Sequence, residues 1–257
     1  MINEHEPIEC DAYGELIRDA YESDRVDDNK TDHVHEWEDG HITIHSARYL
    51  FHDRDDWRDI EWWGIDRVTG HVLDVGTGAG RHALALQANG NPVVALDVSD
   101  GAVEVARRRG VDEVIQADIA EAGQLFRPGL FDTVLLLGCG LSMLQTPERA
   151  PGILRMLHTI AAPGARIIGE GCKPPIPNND RNRALLEMRK YDGRWPGHER
   201  TRLRYREFAT PWRDQLYAEP DVLNERLTEP NGWRLNCYEV DPENPAYGYI
   251  AEFVRVD

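Results

Sequence analysis

From His71 onward, short apolar runs alternate with amphipathic stretches. VLDV, VVAL and FDTVLLLG are compact runs rich in β-branched residues, the length and composition of buried strands. Between them, GRHALALQANG and GAVEVARRRG carry apolar residues at helical spacing, and each ends on a glycine suited to a left-handed cap. A further helix over PERAPGILRMLHTI leads through APGA into the run ARIIGEG. Strand and helix in turn predict an α/β fold, a mostly parallel twisted sheet with helices on both faces.

The two flanks read differently. Residues 1–65 are polar and acidic, with helical spacing over 13–21 through Leu16, Ile17 and Ala20. In HVHEWEDGHITIH, Asp39-Gly40 separates two runs rich in β-formers and predicts a hairpin. A two-residue turn there would pair Glu38 with His41 and Val34 with His45, sending His33 and His35 to one face and His41 and His45 to the other. Four ligands cannot converge from opposite faces, so no metal site is expected. The stretch YLFHDRDDWRDIEWWGI predicts an aromatic-rich helix, with Trp57, Trp62 and Trp63 as core. Late in the chain, RTRLRYREF and YGYIAEFVRV alternate as strands do, with a helix over 219–228 between them; they predict antiparallel C-terminal strands at the sheet's edge.

The strongest local feature is VLDVGTGAG, residues 72–80. A strand runs into Asp74, and Gly76, Gly78 and Gly80 then bracket a tight turn into a helix. Glycine serves where the backbone takes positive φ or where a ligand must touch the main chain, and the free N–H groups of a helix start face that ligand. A dinucleotide site needs GxGxxG, to seat a pyrophosphate on the helix N-terminus. Here Arg81 stands where the third glycine would be, and the carboxylate of Asp74 would repel a pyrophosphate while suiting an ammonium group. Spacing and charge therefore favour S-adenosylmethionine (SAM) over NAD(P). The run VVALDVSD ends on Asp97, 21 residues past Gly76 and placed to accept from ribose hydroxyls. Asp118 closes VIQADIAEAG, within reach of an adenine amino group, and FDTVLLLGCG ends at Gly138.

Residues of about 70–170 resemble the class I SAM-dependent methyltransferases, and VLDVGTGAGRHALALQANGNPVVALDVSDGAVEVARRRGV looks like their small-molecule branch. The resemblance implies a Rossmann-like fold with SAM as cofactor. It also implies that the glycine loop holds the methionyl part, that Asp97 binds ribose, and that Asp118 and Ile119 flank adenine with Val98 packed on its ring. Residues 1–65 would form a helical and hairpin lid, with Tyr13 or Tyr49 over the pocket, and 66–257 the methyltransferase domain. Two other readings stay open: a SAM-binding protein without catalysis, and an NAD(P)-dependent oxidoreductase.

Charge narrows the partners. With 46 Asp and Glu against 29 Lys and Arg, the net charge is −17, which argues against nucleic acid or an anionic membrane. No apolar run approaches the roughly 18 residues of a membrane helix, and the polar N-terminus does not read as a targeting peptide. Lysine occurs only at Lys30, Lys173 and Lys190. Acid-rich, lysine-poor composition suits a cytoplasm at very high salt, where self-repulsion is screened. Four unpaired cysteines (Cys10, Cys139, Cys172, Cys237) suit a reducing compartment. The acceptor is expected to be a small molecule. Glu170, after the ARIIG run, is the candidate general base; Cys139 reads as a small buried filler. Arg200, Arg202, Arg204 and Arg206 alternate along one strand and invite either the chain's own carboxylates, a subunit contact or an anionic acceptor.

Overall fold

The computed structural model describes residues 7–23 and 31–257; the polar start of the chain and Lys30 lie outside the described residues. The N-terminal part runs β1 (Ile8–Glu9), α1 (Ala12–Glu22), β2 (Asp32–Trp37), β3 (Ile42–Ser46) and α2 (Asp59–Ile65). The alternating part follows as β4 (Val72–Val75), α3 (Arg81–Ala88), β5 (Val93–Asp97), α4 (Asp100–Arg108), β6 (Val114–Gln116), α5 (Ala122–Leu125), β7 (Phe131–Leu136), α6 (Ala150–Ile160) and β8 (Ala161–Cys172). The chain ends with α7 (Asp180–Tyr191), β9 (His198–Tyr205), β10 (Phe208–Ala209), β11 (Arg213–Leu216), α8 (Pro220–Leu223), β12 (Trp233–Val240) and β13 (Gly248–Arg255).

The main sheet has the order β12-β13-β8-β7-β4-β5-β6, with β4 to β8 parallel and the β12–β13 pair antiparallel. Alternation along each strand feeds two cores. Leu73, Val75, Val134 and Leu136 pack under α5 and α6, while Val72, Leu135 and Ile168 pack toward α2, α3 and α4. The chain leaves β4 toward β5 and β6, then returns to β7 on the other side of β4. That reversal opens a crevice at the carboxyl ends of β4 and β7, where α/β sheets bind ligands.

YGYIAEFVRV takes its expected place as β13. RTRLRYREF does not join it: as β9 it leaves the main sheet and pairs with β2, β10 and β11. Its place beside β13 goes to β12, WRLNCYEV, anchored by Trp233, which is fully buried and donates its indole N–H to the Leu154 carbonyl. A second sheet therefore forms, in the order β1-β10-β9-β2-β3 with β11 on the other edge of β9. It is built from residues on both sides of the alternating core. The aromatic stretch forms two 3-10 turns and then α2, and Trp57, Ile60 and Ile65 join the main-sheet core.

The hairpin forms, with a different register. Gly40 adopts φ 82°, so the loop is three residues long and Trp37, not Glu38, meets His41. One residue of slip moves every side chain to the other face. His33 now pairs with His45, so His33, His35, His41 and His45 share a face, and the rings of His33, His35 and His45 lie 4.9–5.9 Å apart. The expectation that the four histidines point to opposite faces is therefore corrected. Among the described residues no cluster of three His, Cys, Asp or Glu is placed to hold one.

Helix α1 docks on α4 through two glycines. A Cβ on Gly101 would lie 2.4 Å from the Gly14 Cα, so no side chain fits. Asp11 caps α1 through the Gly14 N–H (3.0 Å) and accepts from the Ser99 hydroxyl (2.8 Å) and the Gly101 N–H (3.1 Å). Overpacking of this kind costs roughly 1–3 kcal/mol. Gly101→Val should therefore lower the melting temperature and make α1 more susceptible to limited proteolysis. Protection equal to the wild type would show that the glycine contact does not hold α1.

Candidate functional site: the crevice beneath the second sheet

At the carboxyl end of β4 the chain turns through Gly76 (φ 71°) and Gly78 (φ 55°), a region that L side chains avoid. Crowding adds a second reason. A Cβ on Gly78 would lie 2.9 Å from the Tyr13 hydroxyl, and one on Gly76 would lie 3.0 Å from the Met143 methyl. Gly80 serves packing instead, since its Cβ would meet Val111 at 2.7 Å. Asp74 is buried one layer below the loop, accepting from the Thr77 hydroxyl at 2.6 Å; it does not border the cavity.

Asp97, at the end of β5, ties the loop together. Its two oxygens accept the N–H groups of Gly78 (2.9 Å) and Ser99 (2.9 Å). Burial pushes its carboxyl up from the ordinary value, while those two N–H donors and the charge of Arg213 pull it back. Each oxygen keeps acceptor capacity beyond these bonds. Asp97 borders a cavity of about 510 Å3 together with Gly76, Val98, Asp118, Ile119 and Gly138. Val98 is 41% exposed, an apolar surface open to a ring. Asp118 caps a 3-10 turn through the Ala120 N–H (2.9 Å), and its side chain remains half-buried at the rim. Six of the nine sequence-predicted cofactor residues thus meet in one cavity. Gly78 supports it through Asp97, Gly80 through helix packing, and Asp74 from beneath.

Behind the loop lies a chain of ion pairs that the sequence did not announce. Arg81 pairs with the buried Glu61, which also meets His82 Nε2 at 3.0 Å. Burial alone would push the Glu61 carboxyl up, yet His82, Arg81 and the Arg58 N–H hold it at about 2. Arg58 continues the chain to Asp241 (3.0 Å) and to both oxygens of Glu170 (3.0 and 3.1 Å). Glu170 also accepts the Cys139 N–H at 3.2 Å. It is committed to Arg58 and does not border the cavity, so it is not positioned as a base. Cys139 does border it, and its thiol is 2.8 Å from that of Cys172.

The second sheet covers the crevice. Tyr13, Tyr49 and His35 border the cavity, as do Leu203 of β9 and Arg213 and Gln215 of β11. Burial and the neighbouring His33 and His45 push His35 down to about 4, so it is neutral at pH 7. Burial, Tyr49 and Asp97 push the Tyr13 phenol well up, leaving it a hydroxyl donor. Three arginines of the stripe pair with carboxylates of the chain. Glu36 lies 2.8 Å from Arg202 and 3.6 Å from Arg204, and Asp19 lies 2.8 Å from Arg206. Arg202 borders the cavity, but its guanidinium is held by Glu36 and lies over the Trp212 ring. His35 and Arg213 escaped sequence reading because only strand register reveals that they share the inward face with Thr201 and Leu203.

Residues 72–164 match the family model for a methyltransferase domain. A SAM-dependent methyltransferase from Bacteroides fragilis, solved with S-adenosyl-L-homocysteine (SAH), is 26% identical, with a TM-score of 0.79 over 98% of this chain and 97% of that one. A demethylmenaquinone methyltransferase from Clavibacter sepedonicus is 34% identical over 124 residues, 47% of this chain and 49% of that protein. A ubiquinone biosynthesis O-methyltransferase from Azotobacter vinelandii is 30% identical over 100 residues, 37% of this chain and 41% of that protein. The chain thus spans half or less of the length of these two curated relatives. Residues 72–164 thus carry a methyltransferase domain, in a chain whose fold is that of the Rossmann-like SAM-dependent methyltransferases.

The cavity assignment has a direct check. Gly78→Val puts a side chain against Tyr13, and Asp97→Ala leaves ligand hydroxyls unpaired at a cost of about 1–3 kcal/mol. Calorimetry should show SAH affinity falling about tenfold or more in each variant. Unchanged affinity in both would contradict the site.

Proposed function

We propose that this chain transfers the methyl group of SAM to a small-molecule acceptor. The observation that carries the reading is Asp97, a buried carboxylate bonded to the glycine loop, with acceptor capacity to spare beside the cavity. The loop fits the cofactor: a side chain at Gly76 would crowd Met143, and one at Gly78 would strike Tyr13, so a ligand can meet bare backbone there. Asp97 would hold the ribose hydroxyls, Val98 and Ile119 the faces of the adenine, Asp118 its amino group, and Gly76 and Gly138 the methionyl end. Bound SAM supplies a methyl on a positively charged sulfur, open to attack by an acceptor lone pair and leaving SAH.

The protein's own part is to bind, align and exclude water. His35 borders the cavity but is held near 4, a weak base, and Glu170 is tied to Arg58 outside it. Orientation alone can supply much of the acceleration of such a displacement, so a dedicated base is not required. Helix α1 and the second sheet act as the lid in this reading. The solved SAH complex and the two curated methyltransferases support it. The curated matches span 100–124 residues, so their quinone acceptors are not carried over. An anionic acceptor draws no support from Arg202 and Arg204, which are engaged by Glu36. The acid excess and scarce lysine support work in a high-salt cytoplasm; among the described residues no helix is long and apolar enough to cross a membrane.

One experiment covers these points. Incubating the purified chain with SAM and a metabolite extract, at low and at molar salt, should give SAH and a methylated product by mass. Melting temperature in the same samples should rise with salt, since screening relieves self-repulsion. SAH binding without turnover would favour the non-catalytic reading, and a melting curve flat in salt would remove the high-salt reading.

A further inference from the structure

The acceptor side of the cavity carries a charge pattern opposite to that of the chain as a whole. Asp97 and Asp118 border the cofactor side, whereas Arg149, Arg202 and Arg213 border the rest, with Asp214 as the carboxylate among them. Asp214 is taken up by His198 at 2.9 Å, and strand alternation puts it on the face away from Arg213. Arg202 is taken up by Glu36. Arg149 and Arg213 have no carboxylate within ion-pair distance among the described residues.

Both residues are exposed, and their settings differ. Arg213 sits on the inward face of β11, opposite Thr201, and its charge reaches Asp97. Arg149 stands just before α6, and its guanidinium donates to the Gln145 side chain at 2.9 Å. Gln145 itself borders the cavity in a strained conformation, φ 69° and ψ −79°. Strain of this kind in a non-glycine residue persists only where the surroundings enforce it, and it concentrates at ligand sites. In a chain of net charge −17, two arginines that border one cavity with no carboxylate in ion-pair distance among the described residues offer donors to an anion.

We propose that the methyl acceptor carries an anionic group, carboxylate or phosphate, held by Arg149 and Arg213. The inference rests on the methyltransferase reading above and adds the chemistry of the acceptor. Gln145 orients Arg149 as a positioning residue, and Trp212 and Leu203 offer apolar surface to the acceptor's body.

The test uses the whole 257-residue chain and is read by calorimetry. SAH is titrated first. The SAH-saturated protein is then titrated with benzoate, phenyl phosphate and the neutral isostere benzamide. At least one anion should bind tenfold or more tightly than benzamide, and which one does separates the carboxylate from the phosphate source. Arg149→Gln and Arg213→Gln should each weaken that anion about tenfold or more, the scale of a charge-assisted hydrogen bond. Melting temperature should stay at the wild-type value in both variants, and SAH affinity should stay there in Arg149→Gln, whose guanidinium does not act on Asp97. Equal binding of anions and benzamide, or anion binding indifferent to both substitutions, would overturn the proposal while leaving the cofactor site standing. Failure of SAH to bind in the first titration would overturn the methyltransferase reading, and the acceptor proposal with it.

Discussion

The structure turns on one buried carboxylate. Asp97 accepts the Gly78 N–H from the glycine loop and the Ser99 N–H from the start of α4. Ser99 in turn donates its hydroxyl to Asp11, which caps α1 and also receives the Gly101 N–H. A continuous run of hydrogen bonds thus joins the glycine loop to the lid helix. Buried polar groups are costly unless satisfied, and a satisfied network specifies one arrangement. The bare backbones of Gly14 and Gly101 let α1 come close enough for Asp11 to complete it, and that approach sets Tyr13 against Gly78. The floor and the roof of the cavity are therefore fixed by the same few atoms.

Those features were unequally visible in the sequence. The parallel core follows from apolar runs and helical spacing, both local patterns, and the carboxyl-end acids follow from where strands stop. Asp97, Asp118 and Gly138 were legible for that reason. Register and pairing partners are not local. A third loop residue at Gly40 reversed the faces of the hairpin histidines, and the alternation of RTRLRYREF identified a strand without naming the sheet it would join. WRLNCYEV carries Asn236 and Glu239 among its apolar residues, and its place beside β13 rests on Trp233 filling a pocket over Leu154. The inward face of the second sheet, with His35 and Arg213, becomes readable only after those pairings are known.

Charge shows the same division between composition and placement. The acid excess describes the surface, but several carboxylates are structural. Glu61 is held at about 2 among Arg58, Arg81 and His82, and Glu170 is clasped by Arg58. Arg81, which displaces a dinucleotide glycine in the loop, contributes an ion pair behind it. Three arginines of the visible stripe, Arg202, Arg204 and Arg206, pair with Glu36 and Asp19. Arg149 and Arg213, which reach the cavity without a carboxylate in ion-pair distance among the described residues, belong to no pattern in the chain.

The central claim is that one lid, assembled from residues 7–23, 31–51 and 198–216, closes the cavity over the cofactor. Hydrogen exchange of the intact protein with and without SAH tests it most directly, because bound ligand slows opening of whatever covers it. Protection should rise together in the glycine loop, in α1 and in β9–β11. Protection confined to the loop and the ends of β4 and β5, with α1 and β9–β11 exchanging as in the free protein, would contradict it.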